Sequence, residues 1–248
     1  LDYLLEDFAD EWLTKATFHY RWTYDEDIKK AGATLSRWGS LTDNEEQIKP
    51  IRDEISNRQI SRLYLVGSNK ITSYIIEESY KNILKLMDNH MNNFPYIFGE
   101  RPSSSDFALY GQLTQLAAFD PTPMKIADNI ASRIVAWVGI MEDLSGLEVS
   151  NKDWINSEIL PVSLKNIFCE LGRVYVPVLL ANFEALNNNK EEVKIEIDGR
   201  LWTQKPFLYQ GKCLNWIKEQ YSILNHSDKE YINSFLDKTG CEKLFYDK

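Results

Sequence analysis

Cysteine is scarce in this sequence, with 3 in 248 residues. Cys169, Cys213 and Cys241 lie far apart and are odd in number. That usage argues against a disulfide framework or a zinc site, and for a reducing compartment such as the cytoplasm. Long apolar runs are missing, so no membrane-spanning segment is read. Positive charge is in the minority: 28 Lys and Arg stand against 37 Asp and Glu, a formal net charge of -9. Such a balance argues against nucleic acid or an anionic membrane surface as partner. The opening stretch Leu1-Asp2-Tyr3-Leu4-Leu5-Glu6-Asp7 lacks the basic start of a signal peptide. Catalytic signatures are missing too. There is no dinucleotide-binding glycine pattern, no P-loop, no CxxC, no GxSxG and no HExxH. His19, His90 and His226 are too far apart for metal-ligand spacing, so no metal is expected.

What is present reads as helix. Hydrophobic residues make up 44% and charged residues 26%, an ordinary globular composition. Leu4, Phe8, Trp12, Ala16 and Tyr20 recur every four residues and share one helix face. Glu6, Asp7, Asp10 and Glu11 fall opposite, with Glu11 and Lys15 in the favourable i,i+4 order, and read as a solvated face. Gly32 to Pro50 reads as a loop. A second helical block runs from Ile51 to Met91, jointed at Gly67-Ser68-Asn69.

The sharpest local signal is Gly99-Glu100-Arg101-Pro102-Ser103-Ser104-Ser105-Asp106-Phe107. Ser103 and Asp106 stand three apart ahead of an apolar helix, the spacing of a capping box. The small residues Gly111 and Ala117 in that helix would admit a close neighbour, and Asp120-Pro121-Thr122-Pro123 would end it. One helix is expected through Ile126, Ile130, Ile134, Trp137 and Met141, and another from Pro161 to Leu186, kinked at Pro177. Then the period changes to two. Val193, Ile195 and Ile197 alternate with charges, Asp198-Gly199 follows, and Arg200 to Gln204 completes a hairpin with a type I′ turn. Helix returns after Pro206, with Cys213, Ile217 and Leu224 on one face. A last helix should start at a Ser227–Glu230 capping box and stop at Gly240. The fold class expected is therefore mostly all-α, a helical bundle with one β-hairpin.

One cluster looks functional. His19-Tyr20-Arg21-Trp22, at the end of the first helix, sets an imidazole, a phenol, a guanidinium and an indole side by side. With Trp12 two turns earlier, it could wall a pocket for a flat, partly polar molecule. The alternative is that Tyr20 and Trp22 are core and Arg21 meets the helix C-terminus.

The Gly99–Phe107 segment resembles the G-x-x-P-S-x-A-D-F segment of the glutathione transferase superfamily, with Ser105 in place of Ala. The preceding amphipathic helix and Trp137 fit the same layout. The resemblance covers residues 1–148, taken as a C-terminal-domain-like helical unit. Residues 149–248 are taken as a helical extension that carries the hairpin at about 193–204 and packs on the same domain.

In that superfamily the segment opens the central helix of the C-terminal domain. The resemblance therefore implies that Ser103 and Asp106 serve folding. It also implies that Trp12, His19, Tyr20 and Trp22 contact a hydrophobic electrophile, and that the chain forms a homodimer. Glutathione would be the co-substrate of the full-length parent. Its site and thiol-activating residue would belong to a thioredoxin-like domain outside this chain, which alone would be inactive. Two other readings remain open at this point: a non-catalytic helical interaction domain, and a small-ligand-binding module of the same fold.

Overall fold

The N-terminal apolar stripe builds one long rod. Helix α1 (Asp2–Phe8) passes through a π-helical turn, Ala9–Leu13, into α2 (Thr14–Thr23). Leu4, Leu5, Phe8, Ala9, Trp12, Leu13, Ala16 and Tyr20 are all buried, as the four-residue spacing requires. The computed structural model describes residues 1–39, 41–42 and 44–245. Among them the chain is mostly helical, with a single two-stranded antiparallel sheet.

Helix α3 (Asp25–Leu35) follows, then α4 (Glu45–Ile60). The loop expected over 32–50 is therefore much shorter, and its residues Ser40 and Asp43 lie outside the described ones. The first turns of α4, before Ile51, escaped the hydrophobic pattern because Ile48 is the helix's one buried residue. It is held by polar contacts instead. Asn44 Oδ1 accepts from the Glu46 amide at 3.0 Å, and Lys49 pairs with Asp53 one turn on.

A 3₁₀ turn, Leu63–Val66, leads to the joint at Gly67, whose φ of 73° is open to glycine at little cost. The side chains of Trp202 and Gln204 press on that glycine, so a Cβ there would clash. Helix α5 (Ser73–His90) leaves the joint and runs against α2.

Helix α6 (Ser104–Leu113) opens at the expected capping box. Asp106 Oδ2 accepts from the Ser103 amide at 2.9 Å and from its hydroxyl at 2.7 Å. Asp106 Oδ1 accepts from the Ile97 amide at 3.0 Å, a contact across the loop that the spacing did not reveal. His90 Nε2 bonds the Ile97 carbonyl at 3.0 Å, so both polar groups of that buried residue are satisfied. Gly111 is exposed with open space around it, and brings no helix closer.

A π-helical turn, Thr114–Phe119, extends α6. Asp120-Pro121 then starts a new helix, α7 (Pro121–Ile130), with proline in its first turn. The single helix expected through Met141 is two, because the chain breaks at Ala131 before α8 (Ser132–Met141). Helix α9 (Val162–Glu170) and α10 (Val176–Asn187) flank a third π-helical turn, Leu171–Tyr175. Pro177 falls just after that π-helical turn, in the first turn of α10, where the helical bonding changes register.

Strands β1 (Val193–Ile197) and β2 (Arg200–Gln204) pair antiparallel, with Ile195 opposite Trp202. Asp198 and Gly199 have φ of 50° and 74°, as a type I′ turn needs. Helix α11 (Leu208–Ser222) ends before Leu224. Helix α12 (His226–Leu236) is capped by Asn225, not Ser227, with Asn225 Oδ1 accepting from the Asp228 amide at 2.9 Å. Most of the buried apolar residues form one cluster that reaches from Leu4 to Leu244, so residues 149–245 share the core of residues 1–148. No described helix is long and apolar enough to cross a membrane.

Candidate functional site

The rod of α1, the π-helical turn and α2 has two working faces. The first carries the residues singled out from the sequence, and they lie inside the protein. Trp12, His19, Tyr20 and Trp22 are 2%, 2%, 0% and 3% exposed. Trp12 Nε1 donates to Ser79 Oγ at 2.7 Å, and its ring lies 5.1 Å from that of Trp202. His19 ties the joint to α5: Nδ1 meets Ser68 Oγ at 2.8 Å and Nε2 meets Glu77 Oε1 at 3.2 Å. Tyr24 donates to the same Glu77 oxygen at 2.6 Å. These bonds hold the Glu77 carboxyl below its usual range, the His19 bond most of all.

The Tyr20 hydroxyl is buried without a hydrogen-bond partner among the described residues. Its ring packs between those of Tyr24 and Tyr80. Arg21 does not cap its own helix. It grips buried Asp120 at 2.9–3.1 Å and donates to Gln115 at 2.6 Å. Serine, histidine and glutamate thus stand in line at Ser68, His19 and Glu77, but the serine is buried and lines none of the clefts described here.

The second face opens on a cleft of about 400 Å³. From the rod, Glu11, Thr14, Lys15 and Phe18 line it at spacings of three and four, with Asp10 beside them. Gln59, Arg62, Leu65 and Val66 come from the end of α4 and the 3₁₀ turn. Phe207, Tyr209 and Gln210 come from the start of α11. Three separate stretches of chain therefore converge there, and the hairpin ties them together, since Trp202 packs on both Trp12 and Gly67. The cleft also abuts the π-helical turn that carries Asp10 and Glu11.

Lys15 is the unusual group in this cleft. It is 2% exposed and makes no salt bridge among the described residues. Its ammonium donates to the Val66 carbonyl at 3.2 Å, and lies 6.0 Å and 5.8 Å from the ring centres of Trp12 and Trp202. Burial pulls its pKa down to about 8, and Glu11 offsets only part of that. Burial likewise pushes the Asp10 and Glu11 carboxyls above their usual range, with the neighbouring Asp7 adding to the effect at Glu11.

The sequence reads Lys15 as one half of a surface ion pair. What buries it is Trp202, almost two hundred residues away in sequence, so no local pattern marks it. The acidic face is wetter in the sequence than in the fold for the same reason. Asp7 is half-buried and accepts a bond from the Tyr175 hydroxyl.

A more open apolar depression of about 520 Å³ lies beside Phe207 and Tyr209, between α10 and α11, with Lys212 its one charged residue. The cleft at Lys15 is the better candidate, because apolar walls and convergent titratable groups meet there. No group of three or more His, Cys, Asp or Glu suited to a metal ion is found among the described residues. Set against models of protein families, curated proteins and solved structures, the chain matches none.

Proposed function

We propose that the chain is the electrophile-binding helical half of a glutathione-transferase-like protein, and that the cleft at Lys15 is where an apolar electrophile binds. The observation that carries this reading is the cleft itself. It is an apolar recess on the first long helix of the domain, walled by Phe18, Leu65, Val66, Phe207 and Tyr209. Support for the family comes from the Gly99–Phe107 segment, whose capping box opens α6, with Leu109 and Leu113 of that helix in the core.

In this reading the parent reaction is attack of the glutathione thiolate on the bound electrophile. The cleft contributes proximity and desolvation of the electrophile. The thiol-activating groups come from a thioredoxin-like domain. Trp12 is the floor under Lys15, while His19, Tyr20 and Trp22 brace the rod from behind. Three free cysteines suit a cytoplasmic protein. A homodimer completes the proposal, and sedimentation at micromolar concentration tests it.

The binding reading is tested by displacement. An apolar fluorescent dye is bound to the chain and competed with an aromatic electrophile such as 1-chloro-2,4-dinitrobenzene. Phe18→Ser removes a wall and should weaken both ligands about tenfold, equivalent to about 1.4 kcal/mol. Dye binding that ignores Phe18→Ser would overturn the assignment of the cleft.

A further inference from the structure

We infer that Lys15 is a carbonyl-capturing amine, which forms a Schiff base with small aromatic or other apolar aldehydes that enter the cleft. This rests on the cleft being a ligand site, and is independent of glutathione chemistry.

Three observations converge on it. The first is position: Lys15 lines the cleft, with Phe18, Leu65 and Val66 around it. The second is solvation. A buried ammonium has three N–H donors, and this one meets a single carbonyl, that of Val66, at 3.2 Å. No carboxylate forms a salt bridge with it among the described residues, so burial makes the neutral amine more accessible here than at an exposed lysine, while Glu11 and the Trp12 and Trp202 rings still favour the cation. The third is the company it keeps. Asp10 and Glu11 line the same cleft and disfavour an anionic ligand, whereas a neutral carbonyl compound meets no such penalty.

The chemistry closes without an oxidant. The Nζ lone pair attacks the carbonyl carbon, and the carbon–oxygen π electrons move to oxygen. A proton passes from nitrogen to that oxygen, giving a carbinolamine. A second proton is donated to the hydroxyl, water leaves, and the carbon–nitrogen double bond forms. Solvent reaching Lys15 through the open cleft supplies that second proton.

With a pKa of about 8, roughly a quarter of Lys15 is neutral at pH 7.5, against about one part in a thousand for an ordinary lysine. Access through the cleft takes back part of that advantage.

The test uses the full chain, 4-nitrobenzaldehyde and cyanoborohydride at pH 7.5, with peptide mapping by mass spectrometry. The hydride converts the imine to a stable secondary amine. We expect Lys15 to be labelled at least tenfold faster than exposed Lys49 and Lys125, and an apolar dye in the cleft to slow it. The mapping separates Lys15 from the α-amino group of Leu1. Labelling of Lys15 no faster than at those surface lysines overturns the inference. If that result comes with normal dye binding in the cleft, only the amine chemistry fails. If the dye does not bind there either, the proposed ligand site fails with it. Lys15→Arg should abolish the fast label, and a fast label surviving in Lys15→Arg would also overturn it.

Discussion

Replacing Asp106 with alanine should destabilise the chain much more in acid than at neutral pH. The side chain is fully buried and accepts from the Ile97 amide, the Ser103 amide and the Ser103 hydroxyl. In Asp106→Ala the hydroxyl can still bond Ser105 Oγ at 3.0 Å, but the two amides lose their acceptor. An orphaned buried amide costs about 1–3 kcal/mol, so the pair costs about 4 kcal/mol.

Against this stands the burial of the carboxyl, which lifts its pKa from 3.8 to about 6 in spite of those three bonds. At about 1.4 kcal/mol per unit, ionisation in the folded state costs about 3 kcal/mol by pH 7. Because the folded pKa is the higher one, the folded chain holds the proton more tightly. The stability contributed by Asp106 is fully present below about pH 4 and is lost as pH rises through about 6. The gap between wild type and Asp106→Ala should therefore be about 4 kcal/mol at pH 4 and about 1 kcal/mol at pH 7. Urea denaturation at a series of pH values measures it, with wild type and variant compared at each pH. A gap that stays constant, or widens towards pH 7, would refute the reasoning.

Two further outcomes follow from buried polar groups. Burial pulls the His90 pKa down, outweighing its backbone bonds. The folded chain therefore takes up that proton only at lower pH than the unfolded one. The stability tied to neutral His90 is present above about pH 6.5 and lost as pH falls through the folded value, so acid should cost His90→Gln less than wild type. A steeper acid loss in the variant would contradict this. Tyr20→Phe removes a buried hydroxyl that has no partner, and should leave the urea midpoint unchanged or raise stability by up to about 1 kcal/mol. A loss of more than about 1 kcal/mol would show that the hydroxyl is bonded after all.

The contrast between Asp106 and Lys15 shows what could be read from the chain alone. The Ser103–Asp106 box, the Leu4–Tyr20 stripe and the Asp198-Gly199 turn are local, set by spacing and backbone preference, and each stands where the sequence puts it. The third acceptor bond of Asp106, to Ile97, depends on a loop closing over it and had no such signal. Helix breaks were legible only where a residue enforces them. Gly67 and Pro177 mark their joints, whereas the break at Ala131 has neither glycine nor proline.

The candidate site was legible only in part. Periodicity marked the first helix, but could not tell the face that borders the cleft from the face that packs inside. The aromatic residues that looked like a pocket wall are the ones other helices cover. Lys15 and Phe18 line the cleft because Phe207, Tyr209 and Gln210 come back at the start of α11 to wall it, an approach that no window along the sequence contains.

The central claim is that the cleft on α2 is a site for apolar electrophiles. Its most direct test is crystallographic: crystals soaked in a bromine-bearing aromatic electrophile, with the bromine located by its anomalous signal. The account predicts a peak inside the cleft, between Phe18, Leu65 and Phe207. A peak confined to the apolar depression between α10 and α11, or none at saturating ligand, would contradict it.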